Sequence, residues 1–165
     1  MNAGAMGSTL FDRVERVWGL DKAGQAVACH ARELATGYRQ APWLETHIAL
    51  KAELRGTPTP PAQISATLEA YRERRRQSQP AGASAGCVFK NPGPISAGRL
   101  IEELGFKGSR IGGAVVSTVH ANFILNDGGA TAGDILALMA RIVERARAER
   151  GLELEPEVVM VGEET

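Results

Sequence analysis

The chain has 165 residues, of which 44% are hydrophobic and 23% charged, a composition typical of one soluble domain or of a small domain with part of another. Its 19 basic and 19 acidic side chains balance, so charge gives no reason to expect a nucleic acid or an anionic membrane as partner. The sequence has no apolar run long enough to span a bilayer, no recognisable signal peptide and only two cysteines, so we expect a reduced, cytoplasmic protein.

The first third of the chain is predicted to be mostly β-strand. Residues 13–20 are β-prone, a turn follows at residues 21–24, and residues 25–29 are again strand-like, which predicts a hairpin. Residues 45–54 alternate apolar and polar side chains, the pattern of a half-buried strand. A cluster of Gly, Pro and Thr at residues 56–61 predicts a boundary between two domains, 1–57 and 58–165.

The second part is predicted to contain three helices. The first begins at Pro60 or Pro61 and runs through the arginines at 72–76, after which residues 77–85 are predicted as a loop. The second begins after the N-cap Ser96 and stops at Gly105. Residues 121–125 and 153–161 are predicted as strands. Because strands and helices do not alternate, the sequence predicts the α+β class.

The third helix has signals at both ends. Thr131 is the predicted cap, Asp134 its partner three residues later, and Gly151 the stop. Apolar residues recur at the helical period and predict a buried stripe, which consists of Ile135, Met139, Ile142, Val143 and Ala146.

Two segments of the first part have residue types suited to ligand binding. Small residues at 1–7, including Asn2 and Gly4, would let the backbone lie against a flat ring or a pyrophosphate, and a flexible terminus is the alternative. Arg39 offers a planar fork of donors for a phosphate or carboxylate, and a surface arginine is the alternative.

The second part has three further candidates. Cys87 follows a glycine and precedes Lys90 and Asn91, which suits a positioned acid beside an anion site, unless it is an inert core cysteine. Glu157 lies in an apolar, β-prone run, where it faces either a lined pocket or the solvent at a sheet edge. His120 follows a diglycine segment, and such a lone histidine is more often structural than catalytic.

In this order, the segments resemble the UDP-N-acetylenolpyruvoylglucosamine reductase family. The resemblance rests on residues 84–92, with cysteine where the family usually has serine, and continues through residues 97–102, 105–108, 110–114, 120–126 and 154–158. Residues 1–5 and 37–39 also fit. It covers essentially the whole chain and implies a C-terminal substrate-binding domain preceded by a partial, PCMH-like FAD-binding subdomain.

The resemblance implies the reduction of UDP-N-acetylglucosamine enolpyruvate to UDP-N-acetylmuramate in peptidoglycan precursor synthesis. Hydride passes from NADPH to FAD and then to C3 of the enolpyruvyl group. The resulting enolate needs stabilisation and then a proton at C2.

The family's roles can be carried to matching positions of this chain. Cys87 is implied as the proton donor, Glu157 as the group that polarises the substrate carboxyl, and Arg39 as the third active-site residue, near flavin and substrate. A thiol has a reference pKa of about 8.5 and releases a proton more readily than an alcohol. Further contacts implied by the resemblance are Lys90, Asn91 and His120 with the substrate, and Asn2, Gly4 and Arg39 with FAD.

Two departures from the family's pattern alter these expectations. Val159 stands where the family often has an arginine. The sequence also contains neither the Gly-Ser-Asn nor the Pro-Gly-x-x-Gly-Gly motif of the family's first FAD subdomain. We therefore expect this chain alone to bind FAD weakly or not at all. The alternatives are an inactive fragment, one half of a split enzyme that needs a complementing FAD-domain chain, or a UDP-sugar-binding module without redox chemistry.

Overall fold

The computed structural model describes residues 2–162 and divides the chain into two compact units, Met1–Tyr71 and Arg72–Thr165. Both units contain antiparallel sheet, and the second also packs helices on its sheet. The predicted α+β class is confirmed. The predicted boundary at residues 57 and 58 stays a prediction. Within the described residues, no helix has the length and apolarity that a bilayer crossing requires.

The first unit contains two small antiparallel sheets. Strands β1 (Gly4–Ala5) and β2 (Ser8–Thr9) form a hairpin whose loop residues, Met6 and Gly7, have φ angles of 53° and 79°. Strands β3 (Val14–Leu20), β4 (Ala26–His30) and β5 (Ile48–Leu54) form a sheet in the order β4-β3-β5. The predicted hairpin is confirmed as β3 and β4. Asp21 closes its turn, because its carboxylate accepts from the N–H groups of Ala23 and Gln25 at 2.8 Å.

Strand β5 differs from the prediction in its burial. The alternation predicted a half-buried strand, but all seven residues are exposed, and Ile48, Leu50 and Leu54 are 66%, 63% and 56% exposed. The strand lies at the edge of its sheet, and no described part of the chain covers these side chains. An alternating pattern marks a face that can pack, but it does not supply the partner that would cover it.

Helix α1 (Pro61–Ser78) begins at Pro61 as predicted, because the missing N–H of proline costs nothing in the first helical turn. The loop predicted for residues 77–85 is wrong, since the helix continues to Ser78 and strand β6 (Ala83–Cys87) follows. Arginine and glutamate are good helix formers, and Glu73 pairs with Arg76 at 2.6 Å. The arginine-rich segment therefore extends the helix.

The second unit packs two helices on a four-stranded antiparallel sheet. Strands β7 (Arg110–Ile111), β8 (Ala114–Val116) and β9 (Phe123–Asn126) join β6 in the order β6-β9-β8-β7. Helices α2 (Ala97–Glu103) and α3 (Ala132–Arg150) bury their apolar faces in one core with this sheet. Strand β9 corresponds to the strand predicted at 121–125, whereas β6, β7 and β8 were not predicted.

The predicted ends of α2 and α3 are confirmed. The hydroxyl of Ser96 accepts from the N–H of the third helical residue at 3.3 Å, and Gly105 follows α2 with a φ of 77°. Thr131 and Asp134 form a reciprocal capping box at the start of α3. Gly151 ends α3 with a φ of 63°. These signals act within one helical turn, so the local sequence specifies them.

The predicted stripe of α3 packs into the core. Met139, Ile142 and Ala146 are buried, while Ile135 and Val143 are partly buried against the same core. The stripe also includes Leu138, which the prediction missed and which is 0% exposed.

The strand predicted at residues 153–161 is wrong as a continuous strand. It is reduced to one antiparallel bridge between Phe89 and Pro156. A proline has no N–H to donate, so it interrupts any longer ladder at this point.

Candidate active site

Cys87 lies at the end of β6, directly after a bulge. Strand β6 pairs with β9 as far as Cys87 and Phe123, with a register shift after Ser84. Within this shift Gly86 has a φ of 87°, a left-handed conformation that glycine adopts without strain. No described atom lies within 4 Å of where a Cβ on Gly86 would be, so its conformation, and not crowding, requires the glycine. The extra residue of this bulge changes which way the side chains of β6 face just before Cys87.

The structure brings the backbone of Glu157 next to that of Cys87. The N–H of Glu157 donates to the carbonyl of Val88 at 2.8 Å, and Phe89 forms the bridge with Pro156. Val88 directly follows Cys87 in the chain. The predicted acid and the predicted carboxylate therefore lie on neighbouring backbone segments, and both residues are half-buried.

Lys90 continues the same pairing. Its backbone N–H donates to the carbonyl of Glu155 at 2.8 Å, and its ammonium group pairs with the Glu155 carboxylate. The Lys90 side chain is only 24% exposed, whereas that of Glu155 is 71% exposed. A cation therefore lies three residues from Cys87, with its charge partly balanced by Glu155.

Asn91 connects this segment to α2. Its Oδ1 accepts from the N–H of Ala97, the first residue of α2, at 3.0 Å. The side chain that the resemblance assigned to the substrate thus also holds the start of a helix.

His120 lies on a turn against the start of the same helix. Its Nδ1 accepts from the N–H of Asn122 at 3.2 Å, which leaves the ring proton of the neutral form on Nε2. Its ring meets that of Phe123 edge-on, with centroids 5.0 Å apart. A Cβ on Gly98 would lie 2.7 Å from the His120 Cε1. Burial, with a smaller contribution from Lys107, lowers the pKa of His120 below its ordinary value.

Arg39 belongs to the first unit, and its backbone is unusual. Gly37 and Gln40 exchange backbone hydrogen bonds of 3.1 and 3.2 Å across a two-residue turn. Arg39 in this turn has a φ of 57°, which is uncommon for a residue other than glycine. Its guanidinium group lies over the Tyr38 ring, 5.4 Å from the centroid. The role of Arg39 at flavin and substrate stays a prediction.

Asn2 and Gly4 lie in the hairpin at the start of the first unit. Asn2 is 6% exposed, and its Oδ1 accepts from the N–H of Phe11 at 3.2 Å. Gly4 is exposed and pairs with Thr9 across the hairpin. Met1, the first residue of the predicted segment, lies outside the described residues.

The residues of the first unit suit only part of FAD. The exposed backbone of Gly4 and Ala5 and the cation of Arg39 are suited to a flavin ring and its surroundings. In residues 2–71, however, α1 is the only α-helix, and it starts with Pro61, directly after Pro60. Prolines have no N–H to offer, so this helix start does not form a pyrophosphate cradle.

The diglycine segment before His120 is structural. A Cβ on Gly112 would lie 2.5 Å from the Asp134 carboxylate, and one on Gly113 would lie 2.4 Å from the carbonyl oxygen of Gly128. Both glycines therefore allow the turn between β7 and β8 to pack against the start of α3.

One residue of this region was missed as a site residue from the sequence. Asn122 is 3% exposed and hydrogen-bonds the backbone that follows Cys87. The available signal was a single amide inside the apolar run Ala121–Ile124, because a polar side chain buried among apolar neighbours needs specific partners.

Comparisons with known proteins agree on one family. Residues 77–161 match the family model described as UDP-N-acetylenolpyruvoylglucosamine reductase, C-terminal domain. A UDP-N-acetylenolpyruvoylglucosamine reductase of Geobacter metallireducens is 45% identical over 165 residues, which are 99% of this chain and 55% of that protein. One of Prochlorococcus marinus is 43% identical and is covered to 54%.

A solved structure gives the same result. The crystal structure of UDP-N-acetylenolpyruvylglucosamine reductase from Thermus caldophilus matches with a TM-score of 0.81 and 38% identity, covering 95% of this chain and 57% of that one. The chain spans about half the length of the curated relatives it matches.

Proposed function

This chain belongs to the UDP-N-acetylenolpyruvoylglucosamine reductase family, and we propose that it carries the proton-donating and substrate-binding part of that reaction. The substrate is UDP-N-acetylglucosamine enolpyruvate, the product is UDP-N-acetylmuramate, and the pathway is peptidoglycan precursor synthesis. The observation that carries the proposal is the hydrogen bond between Glu157 and Val88, which sets the carboxylate segment beside Cys87.

The chemistry requires a hydride at C3 and a proton at C2 of the enolpyruvyl group. When bound, FAD supplies the hydride and NADPH provides its electrons. The charge that then develops on the substrate spreads onto its carboxyl group, where Glu157, in its protonated form, would donate a hydrogen bond and stabilise that charge. The thiol of Cys87 donates its proton to C2, and the thiolate recovers a proton from water.

The remaining predicted residues are proposed to bind and orient the substrate or FAD. His120, neutral and with its proton on Nε2, donates to a substrate oxygen. Lys90 places a positive charge next to the donor segment. The Oδ1 of Asn91 is hydrogen-bonded to the start of α2, so the group that Asn91 offers to the substrate is its Nδ2 donor. In the first unit, Arg39, Asn2 and Gly4 are the proposed contacts to FAD.

The test separates binding from turnover. We expect the purified chain to bind UDP-N-acetylglucosamine enolpyruvate in calorimetry, and Glu157→Ala, which removes the hydrogen-bonding group, to weaken this binding. We expect UDP-N-acetylmuramate to form from FAD, NADPH and substrate when the part of the Geobacter metallireducens relative that this chain does not match is supplied as a second chain. A folded chain that binds no substrate and gives no product in that mixture would rule the proposal out.

A second candidate function is favoured by the exposed apolar side chains of β5. Ile48, Leu50 and Leu54 form apolar surface on an edge strand, which suits a complementing FAD-domain chain that adds to this sheet. In that case the turnover gained on mixing depends on β5, and Leu50→Lys should reduce that turnover while substrate binding by the chain alone is unchanged. Binding of substrate without turnover under either condition would instead favour a UDP-sugar-binding module.

A further inference from the structure

The buried side chain of Asn122 holds the backbone that leaves Cys87. Its carboxamide makes two hydrogen bonds to one residue: Oδ1 accepts from the N–H of Phe89 at 3.0 Å, and Nδ2 donates to the carbonyl of Phe89 at 2.8 Å. Its main-chain carbonyl accepts from the N–H of Val88 at 2.9 Å. A side chain here takes the place of a strand rung, and one residue holds both residues that follow Cys87.

The same backbone is also held by the carboxylate segment. Val88 donates its N–H to Asn122 and accepts at its carbonyl from the N–H of Glu157 at 2.8 Å. Val88 is thus the link between the residue that holds the donor segment and the segment that bears the carboxylate. A shift of residues 88–89 would move Cys87 relative to Glu157.

Asn122 also orients the third side chain of this region. Its backbone N–H donates to the Nδ1 of His120 at 3.2 Å. The ring orientation of His120 and the path of the chain after Cys87 therefore depend on one residue.

We propose that Asn122 is the positioning residue of this site, an inference that rests on the proposed function of Cys87 and Glu157. A primary amide combines a donor and an acceptor in one plane, which the N–H and carbonyl of Phe89 require. Phe89 is 1% exposed, so no solvent replaces a lost partner. Without the carboxamide, residues 88–89 loosen and the thiol becomes more accessible.

The experiment measures the alkylation of Cys87 by iodoacetamide in the purified full chain, with each cysteine quantified separately by mass spectrometry. Cys29, in the first unit, is the internal reference. In Asn122→Ala we expect the ratio of the Cys87 rate to the Cys29 rate to rise at least about fivefold. The Cys29 rate corrects for differences in reagent and preparation, and a matched control variant corrects for a general loss of stability of the second unit.

The matched control is Asn126→Ala. Asn126 is the last residue of β9, the strand that Asn122 directly precedes, and its Oδ1 accepts from the N–H groups of Gly128 and Ala130 at 3.1 Å and not from the backbone of residues 88–89. In Asn126→Ala the ratio of the Cys87 rate to the Cys29 rate should change less than about twofold. A folded Asn122→Ala chain whose ratio also stays within twofold would overturn the proposal.

A second measurement covers the case in which Asn122→Ala does not fold. In the unmodified chain we expect the Phe89 amide to exchange with deuterium as slowly as the core amides of β9. Exchange of that amide at the rate of an open loop would refute the positioning role. Neither measurement uses turnover. A failure of the proposed function, seen as the absence of substrate binding and of product, is therefore distinguishable from a failure of the positioning role of Asn122.

Discussion

The proton donor can be tested by one pair of substitutions at Cys87. Because serine keeps an exchangeable proton and alanine has none, we expect Cys87→Ser to retain substantial turnover and Cys87→Ala to lose about 10²–10⁴-fold. The measurement is the steady-state formation of UDP-N-acetylmuramate by the chain mixed with its FAD-binding complement. Cys29→Ser is the control and should leave the rate unchanged. An unimpaired alanine variant would remove Cys87 from the mechanism.

His120 makes stability depend on pH in a direction that its burial determines. Its folded pKa lies below the ordinary value of 6.5, so the unfolded chain binds the proton more readily. The stability that His120 contributes is present above about pH 6.5 and is lost as the pH falls through the folded pKa. We expect Tm to fall between about pH 7.5 and pH 5.5, and to fall less in His120→Gln. Parallel Tm curves for the two chains would contradict this.

At the scale of elements, two glycines at equivalent helix positions should respond in opposite ways. Gly98 in α2 and Gly133 in α3 are each the second helical residue after a capping side chain. A Cβ on Gly133 would lie 3.6 Å from the Thr131 hydroxyl, an ordinary contact, whereas one on Gly98 would lie 2.7 Å from the His120 ring.

We therefore expect Gly133→Ala to stabilise the chain by up to about 1 kcal/mol, since alanine favours helix. We expect Gly98→Ala to destabilise it by about 1–3 kcal/mol, since the ring must move. Urea denaturation of both variants gives the two free energies of unfolding. A stabilising Gly98→Ala would show that His120 does not pack against α2 as described.

At the scale of the whole molecule, the exposed apolar side chains of the edge strand β5 predict self-association. Its three large apolar side chains are exposed on an edge strand, which offers both unpaired backbone groups and apolar surface to another chain. We expect the chain alone to associate with rising concentration in sedimentation velocity and Leu50→Lys to reduce this. Leu10→Lys, at another exposed leucine of the same unit, is the control. A strictly monomeric chain would contradict the prediction.

The sequence by itself determined the ends of α2 and α3 and the family. Ser96, Gly105, Thr131 and Gly151 act through hydrogen bonds and φ angles within one turn, so neighbouring residues suffice to predict them. The motif around Cys87 was likewise readable, because residue types in order identify a family without any geometry.

Only the tertiary structure decided how the candidate site is assembled. Three features join residues that are far apart in the chain. They are the pairing of β6 with β9 around the bulge at Gly86, the hydrogen bond from the Phe89 N–H to the Asn122 side chain, and the hydrogen bond from the Glu157 N–H to the Val88 carbonyl. Local propensity predicted a strand at 153–161, but Pro156 and the pairing with residues 88–90 limited it to one bridge. Long-range hydrogen bonds depend on which segments meet, and no local pattern contains that information.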